Sequence, residues 1–580
     1  MKQSVGGVDT HLFFMRSIAI LPLALVGQVA AFGVGTFILP RSQTVNAARE
    51  LVCWQREING PHGCTDYWSL SLAGEYDRAF NTGLIADYLL GGPILSVEGS
   101  AYGPCQSICG TTVLADYLGL PRDFKSRLRS TPSMAQFIMD FDFYYGMDSL
   151  CPGLYVRLHM PLVCANWDLN LCEAISVCGT ATFPAGYMAA TEVARNDVPC
   201  SFKQAMRGNT TWGDMTEPLA YGKIFDRQTI VHVSDLQIVA GYNFLMSSCY
   251  HAGFNARVSA PTGTVGCQEF LFEPVIGNGH HWEIGVGFTG HYDLFGDAQC
   301  GSILGVYVDC NVTHLCATKT KRSYNFTNNG PGSRYMLLED IRPASAGLFF
   351  SDGVASEYQY TGSLVNGINQ TTLCSKINIP LQVDCVVKSA WSWQDLTVDI
   401  GYNLWFRSKE HLLCRAQFPE NQYAFKGDAH VYGFTNPAEL PIALGATQHA
   451  ATLCGGQDGG NGTFTNANAD NPVGAFSTGM VALTNLTAAD ALLLGVPQSA
   501  VATSRPSLLL SDADIADYSG LVPAALSQKV FLHINYTWNN KHTTTPYLGM
   551  GADIEYAHGP LCTNSAVTTW GIWITGGFSR

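Results

Sequence analysis

The chain has 580 residues, a formal net charge of −14 and only 13% charged residues, against roughly 25% in a typical soluble domain. That is too little charge to cover an ordinary water-facing surface, while 47% hydrophobic residues exclude a disordered chain. The apolar residues are dispersed, which excludes a helical bundle needing several runs of about 20, and the absence of a basic cluster excludes nucleic acid as a partner.

The one long apolar run, Ile18 to Leu39, follows Arg16. As a secretory signal it has Ile18 to Val26 as its apolar region and Val29-Ala30-Ala31 as a small-residue cleavage site, so residues 1–31 are expected to be removed and Met15 is a possible true start. A retained signal anchor is the other reading; Pro22, Gly27, Gly33 and Gly35 weaken a spanning helix there. Residues 32–65 then form a periplasmic or plug segment. Within it Ala47 to Ile58 reads helical, with Asn46 as N-cap and Leu51, Trp54 and Ile58 on one face. A surface helix is expected ahead of a functional plug.

Export gives the 19 cysteines an oxidising compartment, and disulfides stapling loops are expected. Cys164, Cys172 and Cys178 cluster, as do Cys300, Cys310 and Cys316. No repeated Cys-x-x-Cys pair with zinc spacing occurs, so no metal is expected. Asn-x-Ser/Thr sequons at Asn209, Asn311, Asn325, Asn369, Asn461, Asn485 and Asn535 would mark exposed loops in a secreted glycoprotein.

From residue 66 the dominant signal has period two, which places alternate side chains on opposite strand faces. Trp68, Leu70, Leu72 and Tyr76 oppose Ser69, Ser71, Glu75 and Asp77; Phe137, Met139, Phe141 and Phe143 oppose Asp140 and Asp142. Leu154, Val156, Leu158 and Met160 oppose Arg157 and His159, completing a hairpin. Phe254, Ala256 and Val258 oppose Asn255 and Arg257; Trp282, Ile284, Val286, Phe288 and Tyr292 oppose Glu283, His291 and Asp293. Val398, Ile400, Tyr402, Leu404 and Phe406 oppose Asp399 and Arg407. Such strands run roughly 9 to 13 residues where soluble strands average five or six, the length needed to cross a bilayer at a tilt.

The insert 435–527 reads as an external loop or lumen plug, with a short helix capped by Thr487 and Asp490. Beyond it, Leu548, Met550 and Ile554 oppose Asp553 and Glu555, and the last strand sets Trp570, Ile572, Ile574 and Phe578 on one face. Here the sequence resembles the outer-membrane β-barrel proteins of Gram-negative bacteria, porin-like ones in particular. In that family a terminal or near-terminal aromatic on the last strand serves assembly; here Phe578 stands third from the end. The resemblance implies outer-membrane lipid and the barrel-assembly machinery as partners, with Trp570, Ile572, Ile574 and Phe578 as the assembly signal.

An open sheet would leave unpaired amides in hydrocarbon, so the expected fold is all-β, a closed antiparallel up-and-down transmembrane barrel. Adding weaker segments (Ile94 to Gly99, Ile303 to Val308, Val383 to Trp393, Tyr423 to Phe434) brings the count to about 12–14 strands, with long loops and a few short helices. Gly285-Val286-Gly287-Phe288-Thr289-Gly290 matches a dinucleotide fingerprint literally but sits in an alternating strand with no following helix, so no cofactor is expected. His291 and His533 have no identifiable serine partner, so they read as lumen-lining and no catalytic residue is assigned. On the inner face Glu75, Asp77, Asp140, Asp142, Glu283, Asp293, Asp399, Asp428, Asp553 and Glu555 outnumber Arg157, Arg257, Arg407, Lys426 and Lys529. Lining a wet pore, they would favour cations; paired across a narrow lumen, they would close it. The expected function is a porin-like passive channel for small polar solutes. The alternatives are a non-conducting surface or adhesive barrel and a secreted disulfide-rich β glycoprotein.

Overall fold

A computed structural model describes residues 35–52, 60, 64–102, 112–183, 187–189, 191–297, 302–343, 358–427, 432–433, 442–443, 451–454, 509–538 and 544–580. The signal segment, Trp54, Ile58, Asp428 and the helix expected at Thr487 lie outside the described residues.

Twelve strands form the barrel wall. They are β1 (Tyr67–Ala79), β2 (Ser133–Gly146), β3 (Leu154–Asp168), β4 (Leu236–Met246), β5 (Tyr250–Ala260), β6 (Glu283–Asp297), β7 (Ser302–Ser323), β8 (Thr372–Trp393), β9 (Leu396–Arg407), β10 (Ala525–Thr537), β11 (Thr545–Ala557) and β12 (Thr569–Ser579). Each pairs antiparallel with the next in sequence, and β12 returns to β1 from Ser69↔Ser579 to Ala79↔Thr569. Closure removes every sheet edge, the only way a sheet can satisfy its amides in hydrocarbon.

The alternation decides which side faces out. Phe137, Val286, Ile400, Val530, Met550 and Ile574 are exposed on the outer face, while their chain neighbours turn inward and are buried or half-buried. Aromatic pairs stand near both rims, where interfacial girdles lie. Trp68 meets Phe578 edge-on at 5.7 Å near one rim, and Tyr76 meets Trp570 at 5.7 Å near the other. Inside, Tyr155 lies where a side chain on Gly241 would stand, and Phe531 does the same over Gly401, so glycine on one strand makes room for an inward ring on its neighbour. Gly285 and Gly287 make room for no ring but for the next strand itself: a Cβ there would strike the Val312 carbonyl and the Asn311 side chain at 2.3 Å.

Two of the weaker segments are not wall strands. Ile94–Glu98 belongs to a four-stranded sheet with Thr112–Leu114, Lys125–Ser130 and Leu171–Val177, and Tyr423–Phe425 pairs with Leu337–Pro343 outside the barrel. Their cross-strand partners come from other long connections, which local pattern does not show. The other two are pieces of longer strands: β7 and β8 each run 22 residues, their alternation broken by bulges at Thr313/Leu315 and Leu315/Thr318.

The long connections all leave from one end of the barrel, and the short turns lie at the other with Tyr67 and Ser579. The long connections fold together into a cap with its own core, including Leu89, Val97, Phe124, Trp212, Leu338 and Phe425. The described end of the insert joins this cap, Ile515–Ala516 pairing with Asn325–Phe326. Lys426 lies in the cap and not on the inner wall: its amide bonds Leu337 and its ammonium stands 4.0 Å over Tyr187.

The expected loop staples are also corrected. Among the described residues the single disulfide joins Cys310 to Cys385, neighbours on β7 and β8 in register, whereas Cys164, Cys172, Cys178 and Cys316 are thiols. Sheet register, which the cysteine spacing does not show, decided that pair.

Candidate functional site in the barrel lumen

Residues 35–52 run down the inside of the barrel. At the cap end the Gly35 amide donates to the Tyr88 carbonyl at 3.0 Å, and Phe37 lies 4.1 Å beneath the Arg322 guanidinium. Lower down the chain forms helix α1 (Ala47–Val52), where Asn46 Oδ1 accepts from the Arg49 amide at 3.3 Å, an N-cap. This helix is not on the surface: all six residues are buried, and Leu51 and Val52 share a core with Tyr67, Tyr144, Tyr307, Phe531 and Trp573 from around the wall. An amphipathic turn with charges on one side looks the same whether water or a polar wall receives them, so local pattern placed it wrongly.

Polar contacts radiate from this segment to opposite walls. Arg41 donates to Asn403 and Asp384, each at 2.9 Å, and reaches Glu555 at 3.4 Å; Asp384 also accepts from the Ala47 amide at 2.9 Å. Arg49 bonds Glu75, donates to Asp140 at 2.5 Å and reaches the Gln43 carbonyl at 2.9 Å. Glu50 accepts from Arg157 at 2.8 Å, and Arg157 in turn grips Asp142. His159 bridges Asp140 at 2.5 Å and Glu50 at 3.6 Å. Near the cap rim Arg407 donates to the Leu39 carbonyl at 3.0 Å. Burial alone would raise the Glu50 carboxyl, but the Arg157 charge and then His159 more than offset it, and the group sits below the usual glutamate range.

The remaining inward groups pair within the wall. Lys529 joins Asp553 at 3.2 Å and Glu555 at 3.3 Å. Asp77 accepts from Gln136 at 3.0 Å, Glu283 from Gln382 at 3.1 Å, and Asn255 from Arg257 at 3.5 Å. His291 contacts His251 and stacks on Tyr307 at 5.1 Å. Asp293 lies half-buried beside the bulge of β6 at the short-turn rim. Asp399 holds Lys388 at 3.1 Å and His533 at 3.0 Å, and the other nitrogen of His533 faces Thr575 at 3.3 Å. That Asp-His-Thr chain resembles a triad in order, but all three members are buried and no serine takes part. Trp570, Ile572, Ile574 and Phe578 point outward along β12.

Sequence reasoning left out Arg41, Arg49 and Glu50, the only charges in the threaded segment, and the wall residues Asp309, Asp384 and Lys388. Reading the period-two pattern face by face within Val383 to Trp393, and one residue past Ile303 to Val308, would have found the last three. Of the sequons, Asn311, Asn325 and Asn535 are buried and could carry no glycan in the folded chain.

No protein-family model and no curated protein matches the chain. Solved structures with some similarity include an outer membrane channel from Pseudomonas putida, at 8% identity and TM-score 0.29 over 88% of this chain and 94% of that one. The transport unit of the autotransporter AIDA-I from Escherichia coli gives 6% and 0.26 over 89% and 90%. A FadL homologue from Pseudomonas aeruginosa gives 6% and 0.26 over 94% and 99%. Likeness at this level carries no functional argument. By strand pairing, closure and an apolar outer face, the chain has the fold of an outer-membrane β-barrel.

Proposed function

We propose that this chain is an outer-membrane passive channel for small polar solutes, closed in this state by its own N-terminal segment. The carrying observation is that a charged wall grips residues 35–52 through ion pairs and hydrogen bonds from opposite sides, with an apolar core at Leu51 and Val52. Facing the lumen, Glu75, Asp77, Asp140, Asp142, Glu283, Asp309, Asp384, Asp399, Asp553 and Glu555 stand against Arg157, Arg257, Lys388, Arg407 and Lys529. Withdrawal of the segment takes Arg41 and Arg49 with it, leaving a wall with twice as many carboxylates as cations, which favours cations. Closed, the lumen beside Arg41 and Arg49 keeps a cavity of about 60 Å³, room for a few waters and not for a passing solute.

The test is conductance in planar bilayers of the full chain against a variant lacking residues 35–52, each first shown to be folded by heat-modifiable gel mobility. Silence from the full chain and cation-selective steps from the deletion support the reading. A folded deletion variant that does not conduct refutes it. The cap, with a core of its own, favours a second reading, a non-conducting surface or adhesive barrel, and that refuting result is the one it expects.

A further inference from the structure

Three adjacent strands place Asp77, Gly571 and Asp553 in one row, Asp77 paired with Gly571 and Gly571 with Asp553. Gly571 lets the two carboxylates approach. A Cβ there would lie 2.4 Å from Asp77 Oδ1 and 3.2 Å from Asp553 Oδ1, so the two oxygens stand within about 5.6 Å of each other. Each residue's other oxygen is occupied, Asp77 Oδ2 by Gln136 and Asp553 Oδ2 by Lys529. Both Oδ1 atoms are buried with no hydrogen-bond donor among the described residues, and so is Oε1 of Glu75, one pleat away on β1. Asp553 is 5% exposed and Glu75 0%.

The charges around the row do not balance. Arg49 serves Glu75 and Asp140, Arg41 serves Asp384 and Glu555, and Lys529 serves Asp553 and Glu555. With His159 also on Asp140, four basic groups thus face six carboxylates once Asp77 is included. Buried carboxylates are kept charged by partners or by a bound cation. Asp77 also lines the cavity of about 60 Å³, with Arg49, Gln136, Lys529 and Glu555, so water is at hand to complete a coordination shell.

We propose that Asp77 and Asp553 hold a hard divalent cation of the Ca²⁺ class across Gly571. Ca²⁺ binds oxygens at roughly 2.3–2.6 Å, so a single ion spans two oxygens about 5 Å apart. The donors are all oxygen, which selects Ca²⁺ or Mg²⁺ over softer metals. Among the described residues no three His, Cys, Asp or Glu side chains close a metal cage, so the site is two carboxylates with water and weak, on the order of 10⁻⁴ to 10⁻³ M.

The test uses the full chain in detergent micelles, titrated calorimetrically with CaCl₂ and followed by thermal unfolding with and without Ca²⁺. Variants Asp77→Asn and Asp553→Asn remove a ligand charge, and Gly571→Ala keeps every charge but drives a methyl between the carboxylates. One Ca²⁺ per chain, with affinity lowered at least tenfold in each variant that folds and Ca²⁺-dependent stabilisation confined to the wild type, is the expected result. Absence of Ca²⁺ uptake by the wild type overturns the proposal, and a rise in melting temperature for Asp77→Asn would then assign a proton to the row. Uptake undiminished in all three variants overturns it equally.

Discussion

Replacing Arg49 by Met keeps most of the side-chain length and removes the charge that Glu75 and Asp140 share. With residues 35–52 in place, both carboxylates are at least nine-tenths buried and would lose their cation. Breaking a buried ion pair from one side costs about 3–5 kcal/mol. Once the segment withdraws, the lumen fills with water and the same carboxylates are hydrated, so the cost falls on the closed state alone. At 1.4 kcal/mol per decade, the open population should rise about 100- to 3,000-fold. Arg49→Lys should fall between, since an ammonium lacks the planar fork that reaches three acceptors. The assay is macroscopic conductance per inserted barrel. Adding Glu75→Gln and Asp140→Asn to Arg49→Met should restore closure, because neither side chain facing residue 49 then carries a charge that has lost its partner. A correctly folded Arg49→Met protein as silent as the wild type would refute the reasoning, since the ion pairs would then not be what holds the segment.

Acid should open the channel as well. The Glu50 carboxyl is lowered where it is docked, so its contribution to closure is complete above the free glutamate value of about 4.3 and is lost as pH falls through the lower docked value; conductance should rise as pH falls below about 4. On the outer face, Ile574→Lys puts a charge where lipid is expected, at a cost of about 2–4 kcal/mol near the midplane, and urea titration of the barrel in lipid should read it; no change would place that face in water. Reducing Cys310–Cys385, which span 75 residues of sequence, should lower stability by up to about 4 kcal/mol on a chain-entropy account while leaving the heat-modifiable band intact, because the β7–β8 register is held by its own ladder.

Much of this molecule is local and therefore legible in order along the chain. Period two marks a strand and assigns its faces without reference to any partner, which is why Phe137 and Ile574 could be set outside and their neighbours inside from the sequence alone. The requirement that no amide face hydrocarbon unpaired turned those strands into a closed barrel. The Asn46 cap is local too, a side chain reaching an amide three residues on. What occupies the lumen is not. Arg49 meets Glu75 and Asp140 from 26 and 91 residues away, and Arg41 meets Asp384 across 343, so these partners exist only once the wall has closed in register. The same holds for Cys310 and Cys385, and for Ile94–Glu98 and Tyr423–Phe425, short segments whose sheets are assembled in the cap from separate connections. Whether opposed charges line a wet pore or grip a threaded segment depends on which groups closure brings within a few ångströms, and that distance is a property of the tertiary structure alone.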